Sequence, residues 1–232
     1  MALSYSAIKQ YENCPRQYYE VRVLKKHPRQ ETEATIWGTK VHEAAELYIR
    51  DGLKFSFDFP GSDMVVALKA RQGVKHCELE LAVDGRLQPV EFNDESAIIR
   101  GIADLVIIND TTIRVCDYKT GSAKYPDVAQ LELMALMLFP RFPEVTKSKG
   151  ALLFLAHNTI VSSVTERDQV KLLWANWFGK INRIERACET EVWNPKSSGL
   201  CPWCPVTSCE HWHEKPHTSR VRLPQQKQFS WR

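Results

Sequence analysis

Apolar residues recur along the chain with two periods, and the switches between them divide it into elements. Before Cys14 the spacing is helical, and Ser4 or Ser6 can cap a short helix running through Tyr11. Cys14-Pro15 restarts a helix with Pro15 at its first position, where the missing N–H costs nothing. "TIWGTKVHEAAELYIRDG" predicts a helix closed by Gly52, and "HCELELAVDG" a strand ending in an Asp84-Gly85 turn. Two apolar, β-branched strands follow, "AIIRGIADLVIIND" and "TTIRVCDYKTG". Then come a helix opened by Pro126, "PDVAQLELMALMLFPRF", and a buried strand, "GALLFLAHN". "TERDQVKLLWANWFGKINRIERACE" predicts a long helix with Trp174, Trp177 and Ile181 as its apolar stripe. Helices, a strand meander, helix, strand and helix make an α/β layered domain whose sheet carries a central hairpin.

Composition narrows this reading. The 232 residues, 44% hydrophobic, suffice for one substantial core, so a single domain over 1–232 is expected. The formal charge of +3 does not by itself announce a nucleic-acid binder. Its distribution is uneven: Lys215 to Arg232 holds five Lys or Arg and no acid, so 214–232 reads as a solvated basic tail or a phosphate-binding arm. The N-terminus turns polar too early for a signal peptide, and no apolar run approaches the ~20 residues that span a bilayer. A cytoplasmic, reducing location without membrane contact is expected, where seven cysteines argue for metal rather than disulfides.

The hairpin carries the chemistry. If Asp110 and Thr111 form a two-residue turn, Asn109 pairs with Thr112 and opposed residues have numbers summing to 221. Asp104 then faces Asp117, with Cβ atoms ~5 Å apart. Like charges so placed among Ile102, Val106 and Val115 destabilise each other unless a cation lies between them. Lys119, two residues beyond Asp117, shares its strand face. Two carboxylates for a divalent cation and an ammonium beside them suit phosphodiester hydrolysis.

"GIADLVIINDTTIRVCDYKTG" resembles the catalytic core of the PD-(D/E)XK nuclease superfamily, above all its RecB-type branch of helicase–nuclease subunits, CRISPR-adaptation exonucleases and phage exonucleases. Three further segments, in the same order, extend the resemblance. "GTKVHEAAE" is similar to the family's helix whose His joins the metal shell, here His42, with Glu46 one turn on. Gln130 in "AQLELMAL" stands at the Gln of a Gln-x-x-x-Tyr helix, although Met134 replaces the Tyr. "LSYSAIKQYENCPRQYYE" is similar to the opening segment. The resemblance implies a restriction-endonuclease-like core, a central mixed sheet flanked by helices. It also implies a Mg²⁺- or Mn²⁺-dependent DNA exonuclease with His42, Asp104 and Asp117 as metal ligands and Lys119 assisting.

Near the end, "LCPWCPVTSCEHWHEK" supplies three cysteines of a site that wants four ligands. In iron–sulfur members of the family one Cys near the N-terminus and three near the C-terminus hold a [4Fe–4S] cluster, which implies Cys14, Cys201, Cys204 and Cys209 here. Segments 1–30 and 190–213 would form a clasp around that cluster. Chemically, four thiolates suit zinc as well, and His211 or His213 could complete a local zinc site. Cys77, Cys116 and Cys188 have no such setting.

DNA contacts are expected from Arg16 and Tyr18 beside Cys14, from Lys124 and Tyr125 past "DYKTG", and from Gln130; core packing competes for Tyr18 and Tyr19. Arg100 is a further candidate. The chain has no P-loop, so any motor belongs to a partner such as a helicase, a recombination protein or a CRISPR-adaptation protein. A prokaryotic cell, or a host cell infected by a phage, is the expected setting. The competing class is a non-catalytic, zinc-stabilised nucleic-acid-binding module or interaction subunit.

Overall fold

The structure, a computed structural model, describes residues 2–28 and 30–214. The basic stretch from Lys215 onward lies outside the described residues. Among the described residues, six α-helices cover both faces of one mixed five-stranded sheet. Helix α1 (Tyr5–Asn13) starts where the Ser4 hydroxyl accepts the Ala7 N–H at 3.3 Å. Helix α2 (Pro15–Tyr18) has Pro15 at its start and runs into a π-helical turn, Tyr19–Val23. Helix α3 (Glu33–Asp51) opens on a Thr32/Thr35 capping box and closes on Gly52, whose φ of 74° is left-handed. Helix α4 (Ser62–Ala70) has no counterpart in the sequence reading. It begins after Gly61, where a Cβ would fall 2.7 Å from the Leu155 carbonyl oxygen, and no side chain caps it.

The sheet order is β1 (Val74–Asp84), β2 (Ala97–Asn109), β3 (Thr112–Lys119), β4 (Lys147–Phe154) and β5 (Thr159–Glu166). All neighbours are antiparallel except β3 and β4, which helix α5 (Ala129–Arg141) connects as a crossover. Helix α5 starts three residues after Pro126, because the Asp127 carboxylate takes the Ala129 N–H at 3.2 Å and leaves the preceding residues outside the helix. Strand β5 is not expected from the sequence: Ile160 and Val164 are each 57% exposed, and its inward positions, Val161, Ser163 and Thr165, are mostly polar, so no apolar alternation marks it. The last helix, α6 (Val170–Thr190), accordingly begins after a short 3₁₀ turn, Arg167–Gln169, rather than at Thr165.

Two cores result. One packs the sheet against α1, α5 and α6; the other packs it against α3 and α4. Helix α5 is buried nearly all round, from Leu131 to Phe139, because it lies between sheet and α6. Strand β4 admits α5 closely at Gly150, where a Cβ would meet Leu131 Cβ at 2.7 Å. Aromatic stacking joins the two ends of the described chain: Trp193 lies 5.0 Å from the Tyr19 ring and 5.9 Å from Tyr18, centroid to centroid.

The hairpin register is the expected one from Asn109↔Thr112 to Leu105↔Cys116, and pairing ends there. One step before Asp104 and Asp117 would pair, β2 and β3 part. The freed edge of β2 is taken by Leu3, whose N–H donates to the Ile98 carbonyl at 2.8 Å and whose carbonyl accepts the Arg100 N–H at 2.9 Å.

Gly150→Val should lower stability by about 1–3 kcal/mol through overpacking, read as a fall in Tm of roughly 2–12 °C for a chain of this size. An unchanged melting curve would contradict the close α5–β4 approach.

Candidate active site and metal centre

The fork between β2 and β3 assembles the polar residues. Along β2, Ile99, Gly101 and Ala103 turn to the α5 core, yet Leu105 and Ile107, of the same parity, turn to the α3 core. Strand β1 slips in the same place: Leu79, Leu81 and Val83 pack with α5, Cys77 with α3. Because both strands slip together, the register on either side is unchanged, Cys77↔Leu105 and Leu79↔Ala103. The residues at the slip are Glu78 and Asp104. Glu78 adopts a φ of 47°, a left-handed conformation that costs a non-glycine residue roughly 1–2 kcal/mol.

Three side chains from three elements meet there. Ligand atoms of His42 (α3), Glu78 (β1) and Asp104 (β2) all lie within 4.8 Å of one another, the spacing of a metal site. His42 Nδ1 is 3.4 Å from Asp104 Oδ2, and its Nε2 is 2.9 Å from the Tyr118 carbonyl oxygen. A carbonyl only accepts, so Nε2 carries the proton and Nδ1 turns toward the carboxylates, as a metal-binding imidazole requires. Asp104 Oδ2 also accepts the Tyr118 N–H at 2.7 Å, which satisfies a backbone donor that the parted ladder leaves free.

A second cluster adjoins it. Asp117 Oδ1 accepts from Gln130 Nε2 at 2.7 Å, and Lys119 Nζ donates to Gln130 Oε1 at 3.0 Å. Gln130 thus holds the carboxylate and the ammonium with its two ends. Lys119 Nζ is also ion-paired with Asp117 Oδ2 at 2.6 Å, and this buried oxygen has no other partner.

The electrostatics ask for a cation. Burial, then the Asp104 charge, push Asp117 up to about 6 despite Lys119. Burial, then Asp104 again, push Glu78 up to about 7. Burial would lower the His42 imidazole, but the Asp104 carboxylate beside it outweighs that and raises it. Every shift favours the protonated form, which a divalent cation would displace. An inward Nδ1 on His42 and the close Glu78–Asp104 pair fit such a cation.

Of the expected residues, His42 and Asp104 meet in the triad, with Asp117 and Lys119 in the adjoining cluster. Glu78 was missed; a Glu alternating with apolar residues in "HCELEL" was its only signal. Gln130, expected at DNA, has its amide engaged by Asp117 and Lys119. Glu46 is ion-paired with Arg50 and lines the pocket in front of His42. Tyr18 must be corrected: it is 0% exposed, packed against Trp193 and Tyr11, and no base can stack on it. Arg16 is paired with the buried Glu20 at 2.9 Å. Lys124 and Tyr125 are on the loop after β3, the ring 82% exposed with Lys124 Nζ 5.1 Å from its centre.

Cys14, Cys201, Cys204 and Cys209 line one cavity, together with His211. The Lys196 N–H points at Cys14 Sγ (3.4 Å) and the Ser198 N–H at Cys201 Sγ (3.3 Å). Burial, and then the other three thiols, raise the Cys204 pKa against a Val206 N–H that lowers it.

Residues 2–209 match the PD-(D/E)XK nuclease superfamily. The chain belongs to that superfamily. Its mixed sheet flanked by helices is the restriction-endonuclease-like fold, and its members are nucleases that use divalent metals. Among solved structures, the "Putative exonuclease" from Eubacterium rectale is similar in fold, with TM-score 0.52 and 13% identity over 93% of this chain and 90% of that one. The protein SSO0001 aligns at TM-score 0.43 and 12% identity over 90% of this chain and 85% of that one. No curated protein matches the sequence significantly.

The raised groups set a pH dependence. Native Glu78 and Asp117 hold protons that the unfolded chain releases earlier, so this stability is fully present only below the ordinary carboxylate range and is lost progressively as pH rises to about 6 to 7; the raised His42 adds to it in the same sense. In EDTA, Asp117→Asn should therefore melt higher than the parent at pH 8, and by a clearly smaller margin at pH 5. Mn²⁺ should raise the parent's Tm far more at pH 8 than at pH 5; equal rises would contradict this charge arrangement.

Proposed function

We propose that the protein is a Mg²⁺- or Mn²⁺-dependent deoxyribonuclease, an exonuclease acting on single-stranded DNA or DNA ends. The observation that carries this reading is the His42–Glu78–Asp104 triad next to the ion pair of Asp117 Oδ2 with the Lys119 ammonium. His42, Glu78, Asp104 and Asp117 would hold the cation, which when bound supplies Lewis acidity toward a phosphate and a lower pKa for water.

The chain's own residues do the rest. The His42 Nε2–H bond to Tyr118 keeps Nδ1 a lone-pair donor. Gln130 orients Lys119 and Asp117 together, so the ammonium meets charge developing on the phosphate without reorganising. A non-bridging phosphate oxygen is the natural partner of Lys119 Nζ, which is one-third exposed. Loss of the P–O3′ bond as water adds would leave a 5′-phosphate and a 3′-hydroxyl. Asp117→Ala and Glu78→Gln should each abolish release of label from end-labelled single-stranded DNA in Mn²⁺. Lys119→Ala should lower turnover by 10²–10³-fold, the usual cost of one such donor, while Mn²⁺ still raises its Tm. Undiminished cleavage by Asp117→Ala would refute the assignment.

We also propose that Cys14, Cys201, Cys204 and Cys209 bind a [4Fe–4S] cluster, making 1–30 and 190–213 a clasp on a single domain. Support comes from the shared cavity and from backbone N–H groups aimed at two of the sulfurs. His211 in the same cavity keeps zinc as the alternative ligand chemistry. Anaerobically purified protein should be brown, with about four iron atoms per chain, as four cluster thiolates imply, and Cys204→Ala should lose both. Colourless protein with one zinc per chain would replace the cluster with zinc.

A further inference from the structure

Without a cation, the pocket in front of His42 repels a polyanion. Glu31, Glu43, Glu46 and Glu78 line it, and among the described residues no Lys or Arg does. A phosphodiester must reach the triad against these charges, so attraction has to come from elsewhere on the chain.

A groove of about 1420 Å³ lies beside that pocket and has the opposite character. Arg22, Lys25, Lys26, His27 and Arg100 line it, and among the described residues none of its lining is acidic. Its walls are α1, the π-helical turn with the loop after it, the edge of β2, and Pro205 from the cysteine loop. Several of its cations are held in place without being neutralised. Arg22 donates to Gln10 Oε1 at 2.7 Å and to Ser6 Oγ at 3.2 Å, both uncharged. Arg100 stands 5.5 Å from the Phe92 ring centre, with a buried Nε that has no partner. Among the described residues neither these two nor Lys25 forms an ion pair with a carboxylate, whereas Lys26 lies 3.5 Å from Glu20.

The groove leads to the acidic pocket. Gln30 lines the first and Glu31 the second, so they share a border in the loop before α3. Arg100 is four residues from Asp104 on β2, ~13 Å at the strand's rise. Ile102 lies between them, 41% exposed. We infer that this groove binds the backbone of a single nucleic-acid strand and delivers it to the triad. Recessed, half-buried guanidinium groups reach one backbone lying in the groove, while a duplex lying across it would touch only the rim. The inference rests on the nuclease reading of the adjoining site, but binding can be read without cleavage.

The test measures binding of fluorescein-labelled 20-nucleotide oligothymidine to the full chain in EDTA, by anisotropy across a salt series. Arg22→Ala/Lys25→Ala/Arg100→Ala should raise Kd at least tenfold and flatten the slope of log K against log salt by about 2, three contacts at ~0.7 each for single strands. Lys149→Ala/Lys171→Ala/Arg186→Ala, which removes equal charge elsewhere on the surface, should change neither. Lys25→Glu alone, at an exposed position that cannot unfold the core, should weaken binding severalfold. Equal losses in the two triple variants, unchanged Kd in the groove variants, or tighter binding of a duplex than of the single strand would overturn the proposal. Asp117→Ala should still bind. If it binds and the parent does not cleave, the nuclease reading fails and the groove stands; if the parent cleaves and the groove variants bind normally, the groove fails alone.

Discussion

Two strands that stop pairing halfway along a sheet leave backbone donors and acceptors without partners, and most of this molecule answers that constraint. On the β2 side the answer is Leu3, which completes the ladder at Ile98 and Arg100 and so ties the start of the chain into the sheet. On the β3 side it is Asp104, whose carboxylate takes the Tyr118 N–H. That hydrogen bond needs a carboxylate at the fork, and the carboxylate in turn draws His42 from α3. A buried charge therefore replaces a strand partner, and the chemistry follows from the repair of the sheet.

The replacement leaves the site at odds with itself. Glu78 sits in a left-handed conformation, Asp117 keeps a buried oxygen met by the Lys119 ammonium alone, and both are held above the ordinary carboxylate range. Such conflicts persist only where the surroundings over-determine them. Here the two cores on either side of the sheet do so, pinning β1 and β2 in register on both sides of the slip. Function and local instability are the same property of this cluster, as is common where a site is built for an ion or substrate.

What could be read from the chain alone depended on how far apart the interacting residues are. Asp104 and Asp117 were legible together because a two-residue turn at Asp110-Thr111 fixes their register; the pair then parts one step early, which no local pattern reveals. Glu78 faces Asp104 just as closely, but the connection from β1 to β2 spans residues 85–96, so their alignment could not be counted. Gln130 was legible as a position in a helix and illegible as the link between Asp117 and Lys119, since α5 reaches β3 only through the tertiary fold. Tyr18 and Tyr19 are adjacent and chemically alike; Tyr18 is fully buried and Tyr19 partly so, a difference set by tertiary packing around Trp193 that no local pattern reveals. Strand β5 is illegible because its inward face is Val161, Ser163 and Thr165 while Ile160 and Val164 face outward, which inverts the apolar signal.

The stacking of Trp193 on Tyr18 and Tyr19 has a consequence for synthesis. The ribosome releases Tyr18 early and Trp193 only after every strand and α6 have emerged. Through that interval α1 and α2 have an apolar face, Tyr18 included, with no permanent cover. Chains caught at this stage are the ones exposed to aggregation or proteolysis. Slow translation of the middle of the message would lengthen their risk, whereas speeding the final stretch would shorten it.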